Sequence, residues 1–424
     1  MNLTIKARIE SIRRGEVPEG YKRTKIGIVP NEWGNVLFST LFESFSVYTE
    51  DLEKYPLYSL TIEEGITPKT ERYERSFLVK KKNAYKVMRP NDFAYNPMNL
   101  RFGAVARYKG EKLISVSGYY DIFTTKSKLD LEFMDNFLIF DNMITYYNKV
   151  SIGSLIEKQR VHFSNFLNFE LPLPPLTERN RIAEILAGQD RVIALKEQLL
   201  AEKQKQKKYL MQQLLTGKKR LPGFSGEWRI VKLKEVLRER DEKNVDQNLE
   251  ICSVAVQKGV VNQIEHLGRS FAASDTSNYN VVLFGDIVYT KSPTGEFPFG
   301  IIKQSQLDKV AVSPLYGVFK PATYALGYIL HCYFEIPINT NNYLNPIIQK
   351  GAKNTINISN TTFLSNKLLL PMDEKEQTAI AEILSTADKE IELLKKDIEQ
   401  EKLKKKSLMQ LLLTGIVRVN EFVS

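Results

Sequence analysis

The sequence predicts an α+β protein built as a pseudo-twofold tandem duplication, in which two strand-rich domains alternate with two long helices that pair as an antiparallel coiled coil. Three observations predict it. A helical segment occurs twice at a constant offset, an apolar heptad stripe runs through both copies, and the regions between them alternate short β-like runs with Gly, Pro, Asn and Asp turns.

Glu178–Gly217 matches Glu376–Gly415 at an offset of 198, with 18 identities in 40 positions and no gap. Ile-Ala-Glu-Ile-Leu opens both copies and Leu-Leu-Thr-Gly closes both. In the second copy the apolar stripe runs through Ile380, Leu384, Ala387, Ile391, Leu394 and Ile398, and resumes at Leu408 and Leu412 after Glu401 and Lys405. The first copy holds the frame at Ile182, Leu186, Ile193, Leu200, Leu210 and Leu214, interrupted by Gln189, Lys196, Lys203 and Lys207. Thr177 and Asp373 are predicted N-caps, and Gly217 and Gly415 the C-terminal glycines. A lone helix would expose such a stripe, so the two copies are expected to pair.

Fainter markers extend the duplication into the variable regions. The only two tryptophans sit in Glu32-Trp33 and Glu227-Trp228, Asp92–Tyr95 corresponds to Asp286–Tyr289, and Ser117–Phe123 to Ser313–Phe319. A chain of 424 residues is too long for one ordinary core. The predicted organisation is an N-terminal helix and connector at 1–28, a first variable domain at 29–172 and a first helical repeat with connector at 173–220. A second variable domain at 221–368 and a second repeat with tail at 369–424 complete it.

The composition is that of a folded globular chain, with 43% hydrophobic and 26% charged residues. Sixty Lys and Arg against 50 Asp and Glu give a net charge of +10, which favours polyanionic partners. The two cysteines, Cys252 and Cys332, form no C-x-x-C pair, which argues against a disulfide framework or a cysteine zinc site and fits a cytoplasmic protein. No signal-peptide core and no apolar run of spanning length occurs, so no membrane partner is expected.

Catalytic constellations are missing. Gly295–Gly300 has the spacing of half a phosphate loop, but Ile301 and Ile302 stand where Lys and Ser or Thr would be needed, so a turn is predicted. Asn96-Pro97-Met98 and Asn345-Pro346-Ile347 lack the second proline and the aromatic residue of an amino-methyltransferase motif. His162, His266 and His331 lack metal-ligand spacing, and Asp92 and Asp286 read as turn residues that open a strand. No metal site and no cofactor on this chain is predicted.

Basic residues interleaved with amides and aromatics are dense in both variable domains. Lys80, Lys81, Lys82, Asn83, Arg101, Arg107 and Lys109 accompany Tyr85, Tyr95 and Tyr108 in the first. Lys291, Ser292, Thr294, Lys303, Gln304, Lys350, Lys353 and Asn354 form the set in the second. Lys and Arg neutralise phosphates, while Arg, Asn, Gln, Ser and Thr also read base edges. These are the candidate DNA-binding residues. The lysine runs Lys203, Lys205, Lys207, Lys208 and Lys402, Lys404, Lys405, Lys406 read chiefly as solvated faces of the paired helices.

This layout resembles the specificity subunit of type I restriction-modification systems, with two variable target-recognition domains separated by two repeated helical regions. The blocks at 182–217 and 380–415 carry the resemblance, supported by Gly285–Tyr289, Ser313–Tyr316 and the lead-in Tyr21–Gly27 through Pro30–Trp33. It implies a non-catalytic DNA reader in which each variable domain recognises half of an asymmetric bipartite site in double-stranded DNA and the helical repeats set the spacer. It also implies two methyltransferase (modification) subunits carrying S-adenosylmethionine, and restriction subunits using ATP with magnesium, as partners. The alternatives are a free-standing DNA-binding regulator and a protein-binding adaptor.

Overall fold

The repeated segments form two helices of equal length. In the computed structural model, which describes residues 3–69, 84–155, 159–269, 272–350 and 356–419, four helices carry the argument. They are α1 (Leu3–Arg13), α2 (Leu176–Leu214), α3 (Tyr324–Phe334) and α4 (Glu374–Leu412), and α2 and α4 have 39 residues each.

Asp373 caps α4 as its sequence suggests, its carboxylate accepting the Lys375 N–H at 2.8 Å. Thr177 does not cap α2. That helix starts one residue earlier, at Leu176, and the Pro175 carbonyl accepts the Arg179 N–H at 2.9 Å, so Thr177 lies within the first turn. Both helices end as the repeat predicts: Gly217 and Gly415 sit at φ +66°, and the bonds Lys219 N–H to Gln213 and Val417 N–H to Leu411 close matching C-caps.

The chain divides into two units, Met1–Glu197 with Asp397–Ser424, and Gln198–Lys396, so the division falls within each long helix. In the first unit the start of α2 lies beside the end of α4. Gln189 Nε2 donates to Glu401 at 2.7 Å, Lys196 Nζ to Glu401 at 2.8 Å, and Lys405 lies 2.6 Å from Asp190. In the second unit the end of α2 lies beside the start of α4, with Lys207 at 2.6 Å from Asp388 and Lys203 at 2.7 Å from Glu390. Rising numbers on α2 meet falling numbers on α4, so the pairing in each unit is antiparallel. The polar residues that interrupt the apolar stripe of one helix are therefore answered by polar residues of the other, Gln189 and Lys196 by the interrupting Glu401, and Lys203, Lys207 and Lys405 by Glu390, Asp388 and Asp190 beside the stripe. Lys207–Asp388 and Lys405–Asp190 are the same pair, displaced by the repeat offset.

Each unit also carries a four-stranded antiparallel sheet. In the first unit it is formed by β1 (Phe42–Phe45), β2 (Phe93–Tyr95), β3 (Val105–Arg107) and β4 (Asp121–Thr125), ordered β3-β2-β4-β1. In the second unit β5 (Leu237–Glu239), β6 (Ile287–Tyr289), β7 (Ile302–Gln304) and β8 (Gly317–Pro321) are ordered β7-β6-β8-β5. The registers agree as well. Tyr95 faces Val105 and Asp121, and Tyr289 faces Ile302 and Gly317. A second sheet accompanies each of these. It is wholly antiparallel in the first unit, and in the second it includes a parallel pairing of Ile251–Ala255 with Val310–Val312.

Equivalent helix residues seal the two cores. Ile182 and Leu186 of α2 with Leu412 and Leu413 join Phe38, Phe93, Phe123 and Phe166 in the first unit. Their repeats, Ile380 and Leu384 of α4 with Leu214 and Leu215, join Tyr289, Phe319 and Phe363 in the second. Each helix thus buries apolar surface against a strand-rich domain as well as along the helix pair. In the first unit α1 adds a small cluster in which Ile5 packs on Ile416 and Val417.

A repeated Arg–Glu–Trp contact fastens the lead-in of each domain to the helices. Glu376, only 1% exposed, accepts from Arg220 Nε at 2.7 Å and from Trp228 Nε1 at 3.2 Å. Glu178 accepts from Arg418 Nε at 2.7 Å and from Trp33 Nε1 at 3.2 Å. Charge-assisted bonds satisfy both carboxylates, and removing the cation leaves a buried charge without its strongest partner. Arg220→Met is expected to destabilise the second unit by up to about 3 kcal/mol, the partial exposure of Arg220 placing it at the low end for buried pairs. Denaturant unfolding checks this, and an unchanged midpoint would show that the contact contributes nothing.

Candidate nucleic-acid interface

Strands β2 and β6 both follow a turn held by an aspartate. The Asp92 carboxylate accepts from the Arg89 backbone N–H at 2.7 Å and from Arg89 Nε at 3.1 Å. Asp286 accepts from the Leu283 N–H at 2.8 Å and from Arg240 Nε at 2.6 Å. Both aspartates are buried and engaged with their turns, which gives the pair a structural role. The Gly295–Gly300 segment is likewise a turn, closed by reciprocal backbone bonds between Thr294 and Phe297.

In the first unit three of the basic candidates lie in the loop before β3, on β3 and just after it. Arg107 is half-buried, 3.3 Å from Asp135, and Lys109, which is exposed, reaches the same carboxylate at 2.7 Å. Arg101 donates to Gln159 at 2.9 Å and places its guanidinium 4.5 Å from the centre of the Phe102 ring. The ring faces water, with Phe102 50% exposed. Two of the three tyrosines among these cations offer no stacking surface, Tyr95 and Tyr108 being buried in separate apolar clusters, while Tyr85 is half-buried. Lys80, Lys81, Lys82 and Asn83 lie outside the described residues.

In the second unit Lys291, Ser292 and Thr294 follow β6. Lys291 adopts φ +54°, a left-handed conformation uncommon for a residue with a side chain, and Ser292 and Thr294 are exposed. Burial pushes the Lys291 amine below its ordinary range. Lys303 and Gln304 are interior residues, each 2% exposed, which corrects their reading as surface groups. Lys303 Nζ lies 3.3 Å from Glu335, and Gln304 Nε2 donates to the carbonyls of Gly285 and Tyr324. The cause is α3, which packs on β7 and encloses its polar side chains. Lys350 belongs to the short strand Gln349–Lys350, and Lys353 and Asn354 lie outside the described residues.

Around Lys303 stands a charged network that the spacing of single residues does not reveal. Lys207 of α2 bridges Glu335 at 2.7 Å and Asp388 of α4 at 2.6 Å, and Tyr328 Oη donates to Asp388 at 2.6 Å. His331 Nδ1 accepts the Gln304 N–H at 3.2 Å, which places the ring proton of its neutral form on Nε2. Burial, with Lys303 adding to it, pushes the His331 imidazole from 6.5 down to about 3. Burial raises the Glu335 carboxyl, but Lys303 and Lys207 outweigh it and hold that group at about 2. The lysine runs of the long helices behave similarly. Lys203, Lys205, Lys207, Lys402, Lys404, Lys405 and Lys406 all stand in ion pairs.

Among the described residues no group of three or more His, Cys, Asp or Glu is placed to hold a metal ion, and no helix is long and apolar enough to cross a membrane. Comparison with known proteins adds the decisive observation. Residues 44–204 match the type I restriction modification DNA specificity domain, a span reaching from the first unit's sheet into the first copy of the repeated helix. The chain is 28% identical over 316 residues to the MjaVIII type I restriction enzyme specificity subunit of Methanocaldococcus jannaschii, covering 66% of this chain and 71% of that one. The putative MjaX specificity subunit of the same organism is 22% identical over 95% of this chain and 97% of its own.

The chain is similar to type I specificity subunits.

Solved structures share its fold. The type I S subunit from M. genitalium aligns with TM-score 0.53 at 12% identity, over 90% of this chain and 96% of that one. A chain from a study of complex assembly and conformational transition in the type I restriction-modification system aligns with TM-score 0.52 at 15% identity, over 92% and 99%. By that similarity the protein is the DNA-recognition component of a type I restriction-modification complex, itself non-catalytic.

The network around His331 gives the specificity subunit a defined acid response. The folded His331 stays neutral where the unfolded chain takes up a proton, so stability present above pH 6.5 is lost as pH falls from 6.5 toward 3. The slope from this one group is at most about 1.4 kcal/mol per pH unit. Between about pH 6.5 and 5 the Glu335 carboxyl is ionised in both states and adds little. Thermal unfolding across that interval should fall more steeply for the native chain than for His331→Gln, whose amide oxygen still accepts from Gln304. Parallel profiles would contradict the assignment.

Proposed function

We propose that each unit reads one half of an asymmetric, bipartite site in double-stranded DNA, with residues 29–172 and 221–368 as the two target-recognition domains. The two long helices run through both units; they set the number of unread base pairs and dock two methyltransferase subunits. Those subunits bring S-adenosylmethionine, and restriction subunits using ATP and magnesium join the same assembly.

The observation that carries this reading is the repeated sheet. The order β3-β2-β4-β1 and the order β7-β6-β8-β5 agree in register, while the sequences along them agree only at scattered markers. One scaffold presented twice with different surfaces suits two unlike half-sites, whereas a symmetric dimer of one reader sees identical halves. The net charge of +10, the exposed Lys109 and the exposed polar run that follows Lys291 support a polyanionic ligand.

The test uses the complex assembled with its modification subunits. Lys109→Ala together with Arg101→Ala should weaken binding and reduce the magnitude of the salt slope by about one for each phosphate no longer neutralised. Genome-wide mapping of methylated bases should show any change of sequence confined to one half of the site. A change in both halves at once, or a single uninterrupted palindrome in the native complex, would overturn the assignment of one domain to each half.

A further inference from the structure

The loops that join β2 to β3 and β6 to β7 have the same frame and different tips. Each begins after the matched tyrosine, Tyr95 or Tyr289, whose hydroxyl is tied to a carbonyl, that of Val161 in the first unit and that of Phe299, at 2.7 Å, in the second. Each is closed by the same backbone bond. The Asn96 N–H donates to Ala104 at 3.0 Å and the Thr290 N–H donates to Ile301 at 3.0 Å. Each ends on a glycine two residues before the edge strand, Gly103 at φ +96° and Gly300 at φ +99°. Each buries an apolar anchor ahead of that glycine, Leu100 or Phe297. A Cβ on Gly300 would come within 2.9 Å of the Lys291 backbone nitrogen, so the second frame admits no side chain there.

Between these fixed points the two loops differ in length and in the side chains they expose. The first exposes Met98, Asn99 and Phe102, with Arg101 half-buried over the Phe102 ring. The second exposes the run Ser292–Glu296, launched from the left-handed Lys291. A pinned base with a divergent tip is what reading two different sequences from one scaffold requires. The tip side chains also have the right chemistry. Asn pairs with adenine through two bonds, Arg does so with guanine, Ser and Thr bond either, and Glu accepts from the amino group of cytosine.

We propose that the loops 96–104 and 290–301 are the base-reading elements of the two units, with Asn99 and Arg101 specifying one half-site and Ser292, Thr294 and Glu296 the other. This deepens the bipartite reading above and rests on it. The loops supply specificity; the cations around them, such as Lys109, position the duplex through its phosphates.

The experiment uses the full chain in complex with its modification subunits, and DNA in which every base pair of the site is substituted in turn. In the variant carrying Ser292→Ala and Thr294→Ala, discrimination at one to three adjacent base pairs of one half should fall roughly tenfold or more, with the other half unchanged. Asn99→Ala should do the same to the opposite half. Unaltered discrimination by both variants would overturn the loop assignment, whereas a native complex that discriminates at no base pair would overturn the bipartite reading itself. A second measurement stands independently of methylation activity. Cys252 and Cys332 are buried, so Thr294→Cys and Asn99→Cys each provide one exposed thiol for a tethered iron chelate that cleaves nearby DNA. Cuts from the two positions should fall in opposite half-sites, and cuts confined to the spacer or the flanks would overturn the proposal.

Discussion

The structure depends on how two helices with imperfect apolar stripes match each other. Burying Gln189, Lys196, Lys207 or Glu401 against leucine would cost more than the neighbouring apolar contacts return, because each would lose water without gaining a partner. In antiparallel alignment every one of them meets a complementary group, Gln189 and Lys196 on Glu401 and Lys207 on Asp388. Sliding one helix by a turn would set these groups against apolar neighbours. The polar interruptions thus fix direction and register, while Ile193, Ile391 and Ile398 supply buried area.

From that register follows the placement of each domain. The first turns of α2 and α4 carry Glu178 and Glu376, which receive Trp33 and Trp228 from the domain lead-ins and Arg418 and Arg220 from the connector that follows the opposite helix. The next turns supply Ile182 and Ile380 to the two cores. A domain that varied freely would still be seated correctly provided these contacts and the β2 or β6 frame were kept. This explains how two sheets of one order tolerate such different loops.

Much of this was legible in the amino-acid sequence because it is written in periodicity. The offset of 198, the heptad stripe and the terminal Leu-Leu-Thr-Gly gave both helices, their ends at Gly217 and Gly415 and their pairing. Thr177 misled because a proline two residues before it, Pro175, offers a carbonyl that starts the helix earlier. The basic clusters were legible only in part. Arg101, Lys109, Ser292 and Thr294 are near or at the surface, but Lys303 and Gln304 look identical to surface residues until α3 is known to cover β7. Residues on a short edge strand carry no signal of what packs over them, and a charged network drawn from positions 207, 303, 335 and 388 has no local pattern at all.

The most direct test of the polar register is a pair of double-mutant cycles at the two repeat-related contacts, Lys207 with Asp388 and Lys405 with Asp190, each residue replaced by alanine singly and together. Lys207 and Asp388 are the less exposed pair, and Lys405 and Asp190 face more water. The account predicts favourable coupling of roughly 1 kcal/mol at the first contact and about half that at the second, with salt weakening the second more. Additive effects at both contacts would contradict it, since the helices would then be aligned by their apolar residues alone.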